Sequence, residues 1–250
     1  MNLRNKKALV TGGGAGIGLA ITQALVAAGA HVLIAGRDLG RLERVKAELG
    51  DVTTIQVDLA VYSERERLIA QTLASDLPID LLVNNAGIMQ YFALNDDRAL
   101  ARLDAELALD LHAPIHLATA LLPHLLARPD AAIVNVTTGL IYAPFGTTPG
   151  YSAAKAGLHE FTRSLRWQTR STTLKVIELM PPTVDTALTR RLDSPKINPA
   201  RIATALIDGI QKGTDEIRPG QTKALYALSR LAPDFIYRTL NKVGDKVPLD

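Results

Sequence analysis

A chain of 250 residues, 47% of them apolar, can bury a substantial core, and no linker, low-complexity stretch or internal repeat divides it, so residues 1–250 are expected to form one domain. The net charge of +3 is small, and basic residues alternate with acids, as in Arg37-Asp38-Leu39-Gly40-Arg41-Leu42-Glu43-Arg44, which describes a solvated helix face and not a nucleic-acid footprint. The lack of cysteine excludes disulfides and thiolate metal sites, and the N-terminus and the apolar runs suit neither secretion nor a bilayer span, so a cytoplasmic location without membrane contact is expected.

Short β-branched runs predict strands at 8–11, 31–35, 53–57, 81–84, 132–136 and 175–179. Amphipathic stretches between them predict helices at 16–28, 39–49, 64–74, 98–126 and 151–168, with a further apolar-sided helix at 222–243. Strands alternating with helices mean a parallel α/β sheet, doubly wound, with helices on both faces. Ligands then bind beyond the carboxyl ends of the strands.

The first of those strand ends carries Thr11-Gly12-Gly13-Gly14-Ala15-Gly16-Ile17-Gly18. Small residues here let backbone approach a pyrophosphate, and the following helix offers its free N–H groups. The glycine spacing is Gly12-x-x-x-Gly16-x-Gly18, which fits no register of the common G-x-G-x-x-G fingerprint. The second strand ends in Gly36-Arg37 where an NAD-preferring protein would place a carboxylate. A guanidinium there suits a 2′-phosphate, so NADP(H) is expected in preference to NAD(H), with Asp38 the complicating neighbour.

Tyr151 and Lys155 lie four apart on the fifth helix and therefore share a face. A phenol ionises near pH ~10, and a neighbouring cation is expected to lower that value by roughly 1–3 units. So tuned, it exchanges a proton with a carbonyl or alcohol oxygen.

The glycine spacing, Asn84-Asn85-Ala86-Gly87 after the fourth strand and Tyr151-x-x-x-Lys155 together resemble the short-chain dehydrogenase/reductase family over essentially the whole chain. Asp58-Leu59 and Pro181-Pro182-Thr183-Val184-Asp185-Thr186 also resemble family segments, the latter with Pro182 where glycine is usual. The Pro-Pro variant resembles a poorly characterised bacterial branch.

The resemblance implies a Rossmann-type domain whose residues 1–90 mainly bind the cofactor and whose residues 91–250 carry catalysis. Cofactor contacts would come from Gly12, Gly14, Ala15, Gly16, Ile17, Gly18, Arg37, Asp58, Leu59, Asn85, Ala86, Gly87, Tyr151, Lys155, Pro181, Val184 and Thr186. It also implies Tyr151 as acid/base, with Lys155 lowering its pKa and holding the nicotinamide ribose. Thr138, thirteen residues before the tyrosine, takes the place of a serine that orients the substrate oxygen. Asp110 takes the place of an asparagine whose carbonyl anchors a relay water. Pro114, lacking an N–H, leaves that carbonyl without its intrahelical partner, so the acidic side chain is expected to be tolerated.

The expected activity is hydride transfer between nicotinamide and a carbonyl or secondary alcohol. The alternatives are a nucleotide-binding regulator with little turnover, motivated by Thr138, Asp110 and Pro182, or an epimerase or dehydratase on the same scaffold. A small-molecule carbonyl or alcohol is the expected substrate. Met89, Tyr91, Phe92, Ile141, Tyr142 and Phe145 are candidates for an apolar pocket. No metal is expected from His112, His116 and His124, and Arg190-Arg191 is read as a helix cap. In the family the fourth and fifth helices pack between subunits. Leu107, Leu111, Ile115, Leu121 and Leu125 on one, with Leu158, Phe161 and Leu165 on the other, suggest a homodimer or homotetramer.

Overall fold

The six strand segments become strands, and a seventh joins them. The computed structural model describes residues 1–74 and 78–249. Its strands are β1 (Lys7–Thr11), β2 (His31–Gly36), β3 (Val52–Gln56), β4 (Leu81–Asn84), β5 (Ala132–Val136), β6 (Lys175–Leu179) and β7 (Glu216–Ile217). They form one parallel sheet in the order β3-β2-β1-β4-β5-β6-β7, a doubly wound Rossmann-type topology. The winding reverses between β1 and β4, which pair from Ala8 with Leu81 to Val10 with Val83. A crevice must open at their carboxyl ends, because the connections leave on opposite sides.

The helices are α1 (Gly16–Ala27), α2 (Leu39–Leu49), α3 (Tyr62–Ala74), α4 (Ala99–Leu107), α5 (Ala113–Leu126), α6 (Pro149–Gln168), α7 (Pro199–Lys212), α8 (Thr222–Leu231) and α9 (Pro233–Gly244). Alternate residues of each strand face opposite sides. Ala8, Val10, Val32 and Ile34 meet Ile21, Leu25, Leu42, Leu206 and Ile210 of α1, α2 and α7. Leu9, Leu82, Ile133 and Val176 meet Leu68, Leu117, Leu121 and Leu165 of α3, α5 and α6. Truncating a fully enclosed side chain such as Leu121 to alanine would cost about 2–5 kcal/mol.

Four differences from the sequence reading have local causes. The long helix expected over 98–126 is interrupted at Ala108–His112 by a π-helical turn. Pro114 has no N–H to give Asp110, and its ring crowds that carbonyl, so the ladder widens. The helix expected over 222–243 breaks at Ala232 (φ −144°), because the residue before Pro233 is pushed out of the α region. Helix α7 was missed although its ends are marked. Asn198 caps it through the Ala200 amide at 2.8 Å, Pro199 starts it, and Gly213 stops it at φ +68°. β7 is only two residues long and carries no periodicity to read.

The surface offered for subunit contact also changes. Leu121, Leu125, Leu158 and Leu165 are core residues, leaving Leu107, Leu111, Ile115 and Phe161 half-buried. Among the described residues no helix is long and apolar enough to cross a membrane.

Candidate functional site

One end of the crevice is made of backbone. Thr11, the last residue of β1, accepts the amides of Asn85 (2.9 Å) and Ala86 (3.0 Å) on its Oγ1. Asn85 returns a bond from Nδ2 to the Thr11 carbonyl at 2.9 Å, so the loop after β4 is tied to the glycine loop after β1. Gly12 (φ +66°) and Gly16 (φ +53°) adopt left-handed backbone that only glycine takes without strain. A Cβ on Gly18 would collide with the Gly12 carbonyl, and one on Gly13 would come within 2.5 Å of Ile34. The loop therefore folds tightly onto the start of α1. Ala15 supplies no side-chain cap there and no acid occupies the first turn, so the helix amides and their partial positive charge face the crevice. That cradle suits a pyrophosphate.

From this loop a cleft of about 520 Å³ runs along the strand ends. Gly12, Gly14, Ala15, Gly16, Ile17, Arg37, Asp58, Leu59, Asn85, Ala86 and Gly87 line it, as do Pro181, Val184, Thr186, Thr138, Tyr151 and Lys155. Gly18 does not, being packed under Gly12; it shapes the loop and touches nothing in the cleft. At the far rim Arg37 is joined by Arg41, which the sequence reading missed though it lies one helical turn on. Asp38, which also lines the cleft, caps α2 by accepting the Arg41 amide on Oδ1 at 3.0 Å, and its Oδ2 lies 3.5 Å from the Arg41 guanidinium. Over the opposite side, the segment after β6 closes down, where a Cβ on Gly16 would meet Thr186 at 3.1 Å.

The other end is made of side chains. Thr138 follows β5, and Tyr151 and Lys155 rise one turn apart on α6. The Lys155 ammonium donates to the Val136 carbonyl at 3.1 Å and lies 5.8 Å from the Tyr151 ring centre. The net direction of the phenol's pKa is opposite to the expected lowering. Burial pushes Tyr151 upward, Asp110 pushes the same way, the hydrogen bond with Thr138 opposes them, and Glu106 and Tyr91 add to the rise. Lys155 is itself lowered by burial, against the opposing pull of Asp110.

Asp110 is not in the cleft wall; it stands behind it. Its Oδ1 accepts the Ile88 amide at 3.0 Å and would lie 2.9 Å from a Cβ on Gly87. Burial raises it to about 6 despite the pull of Lys155. One turn earlier Glu106, which the sequence reading did not single out, is fully buried and accepts the Gln90 amide at 2.7 Å. Burial raises it to about 7, with the Gln90 amide opposing and Asp110 adding to the rise. The charged series Arg102, Glu106 and Asp110 at four-residue spacing on one helix face was the available signal.

Beyond Tyr151 the lining is mostly apolar, with Met89, Leu140, Phe145, Leu192, Leu225 and Leu240. Of the six loop residues expected there, Met89 and Phe145 arrive. Tyr91 and Phe92 are buried in the protein, and Ile141 and Tyr142 turn away, Tyr142 toward Arg218 at 2.8 Å. The segment before α8 and the two C-terminal helices close this end, with Gln221, Thr222, Leu225 and Leu240. Of the expected cap pair, Arg190 is the C-cap residue of a 3-10 turn at Ala187–Thr189, its amide bonding the Ala187 carbonyl at 3.4 Å, whereas Arg191 donates to the Pro248 carbonyl at 2.5 Å and stacks on Tyr91. His116 pairs with Glu66 at 2.7 Å and His124 contacts the Ile79 carbonyl at 3.0 Å, so the helix histidines have separate duties.

Comparison with known proteins agrees with this arrangement. A family model described as short chain dehydrogenase matches residues 6–196. The uncharacterized oxidoreductase DltE of Bacillus subtilis (strain 168) is 36% identical over 96% of this chain and 98% of its own length. A short chain dehydrogenase from Burkholderia cenocepacia J2315, solved with NADP, superposes with a TM-score of 0.84 at 23% identity, over 96% of this chain and 99% of that one. A short-chain dehydrogenase/reductase from Burkholderia phymatum, solved with NAD, gives 0.83 at 20% identity, over 96% of each chain.

Proposed function

We propose, from the premise that this chain belongs to the short chain dehydrogenase family of oxidoreductases, that it is an NADP(H)-dependent carbonyl reductase, reversible as an alcohol dehydrogenase. The observation that carries this reading is the convergence of Thr138, Tyr151 and Lys155 on one cleft with the glycine loop. The backbone cradle after β1 fits a dinucleotide's pyrophosphate, and the cofactor when bound supplies or accepts the hydride. The loop from Gly12 to Ile17 would hold the phosphates, and Asp58 and Leu59 the adenine end. Lys155 would hold the ribose, and Pro181, Val184 and Thr186 the nicotinamide end. Arg37 and Arg41, with Asp38 engaged as a cap, favour a 2′-phosphate over a bare ribose.

The chain's own groups do the proton chemistry. Thr138 orients the substrate oxygen. Tyr151, its proton affinity raised by burial, is a phenol well able to hold a proton until a carbonyl oxygen develops charge, which favours the reductive direction. Lys155 holds positive charge under the site, partly balanced by Asp110. The apolar lining beyond Tyr151 excludes water and suits a carbonyl with an aliphatic or aromatic tail. The test is consumption of NADPH and NADH with a panel of such ketones and aldehydes. Turnover that prefers NADPH and vanishes in Tyr151→Phe is expected; an undiminished Tyr151→Phe would sink the mechanism.

A further inference from the structure

Two buried carboxylates stand behind the acid–base pair, one helical turn apart, and each is fastened to the loop after β4. Glu106 binds the Gln90 amide and Asp110 the Ile88 amide, alternate residues of one extended segment. Each also abuts one member of the Tyr151–Lys155 pair. A Cβ on Gly150 would collide with Glu106 Oε2, so this carboxyl packs directly on the first turn of α6, the turn that bears Tyr151. A Cβ on Gly87 would meet Asp110 Oδ1 and the Lys155 ammonium together, at 2.9 and 3.5 Å. Asp110 keeps one enclosed oxygen, Oδ2, without a hydrogen-bond partner among the described residues, and Glu106 Oε2 lacks a well-aligned one, though the Tyr151 amide lies close enough to stabilise its charge. An unpartnered buried carboxylate oxygen is costly, and structures retain such groups chiefly where they do something.

We propose that Glu106 is a positioning residue: its carboxyl, packed on the first turn of α6 and bound to the Gln90 amide, fixes Tyr151 against the loop after β4, and its charge adds to the hold that burial and Asp110 already place on the Tyr151 proton. The inference rests on the reading of Tyr151 as the proton donor. The groups facing Glu106 are Arg102 on its own helix, Asp110 on the π turn, the Gln90 amide, and Tyr151 on α6. Arg102 donates to the Tyr91 carbonyl at 3.4 Å and lies over Phe92, and its charge still favours the ionised form of Glu106. An ionised Glu106 adds negative charge beside the phenol and holds its proton on; a neutral one releases that hold.

The decisive variant is Glu106→Gln, which keeps the shape and an oxygen for the Gln90 amide but cannot ionise. Phenolate absorbance is titrated in the wild type and in Glu106→Gln, with Tyr151→Phe and the double variant subtracted to isolate Tyr151. Tyr151 should ionise at lower pH in Glu106→Gln, and the profile of kcat against pH should lose one ionisation while KM for NADPH stays within about twofold. Glu106→Ala should lower kcat roughly 10–100-fold, a loss that Glu106→Gln largely restores. An unchanged Tyr151 titration together with a wild-type pH profile in Glu106→Gln would overturn the proposal. An active Tyr151→Phe would instead overturn the reading beneath it, and the titration distinguishes the two because it needs no substrate.

Discussion

The two ends of the cleft are built from different materials. At the glycine loop, recognition is done by main-chain amides, and side chains are excluded because there is no room for them: Gly12, Gly13 and Gly18 each lie where a Cβ would press on a neighbour. At the Tyr151 end, recognition is done by buried side chains whose charge depends on one another. The first end works through backbone amides, which do not titrate. The second is titratable, and its proton affinities follow from burial more than from the Lys155 cation beside it. A short pair of residues thus names a chemistry without setting its pKa.

Substitutions at the two ends should therefore fail in different ways. Tyr151→Phe should lower kcat on the order of 10³-fold while leaving NADPH affinity, read by nicotinamide fluorescence, almost unchanged. Gly18→Ala should do the reverse. Forcing the loop off the Gly12 carbonyl would destabilise the fold by about 1–3 kcal/mol and weaken cofactor binding roughly 10–100-fold, measured by thermal melts with and without NADPH. Equal binding in the two variants would erase the distinction between the ends. Replacing Arg37 and Arg41 together with alanine should cost roughly 10-fold in NADPH over NADH preference, read from the ratio of kcat/KM values.

Two fully buried carboxylates differ in their partners. Glu178 is paired with His159 at 2.9 Å and accepts the Thr137 hydroxyl at 2.6 Å. Asp110 accepts the Ile88 amide and feels the nearby Lys155 ammonium, yet burial raises it to about 6. A carboxylate raised on folding contributes fully below its unfolded value near ~4, and that contribution is lost as pH rises through its folded one. Asp110→Asn should therefore remove part of the decline in Tm between pH ~4 and ~7 and stabilise the protein above it, on the order of 2–3 kcal/mol at most. The His159 pair behaves differently. Its partner Glu178 raises the imidazole, so its contribution is full below pH ~6.5 and is lost only as pH climbs through the raised value. Smallest of all, Asp110→Asn should change kcat by no more than several-fold at pH ~7, since asparagine keeps an oxygen for the Ile88 amide. A gain of orders of magnitude would show that the acid impairs the natural site.

The alternation of strands and helices, the backbone cradle and the Tyr151–Lys155 pair were all legible in the residues. Each rests on a local rule: a period of two or of 3.6, the steric freedom of glycine, the one-turn spacing of a helix. Helix α7 obeyed the same rules at Asn198, Pro199 and Gly213 and could have been read. What could not be read was set by groups far apart in the chain. Glu106 meets Gly150 and Gln90 only because α4, α6 and the loop after β4 converge. Leu121 and Leu165 point into the core and away from any partner only because α5 and α6 pack on the sheet as they do. The proton affinity of Tyr151 is of this second kind. Local order placed a cation one turn away, but burial and two carboxylates delivered by tertiary packing outweigh it, because electrostatic energies depend on distance and dielectric in space and not on separation along the chain.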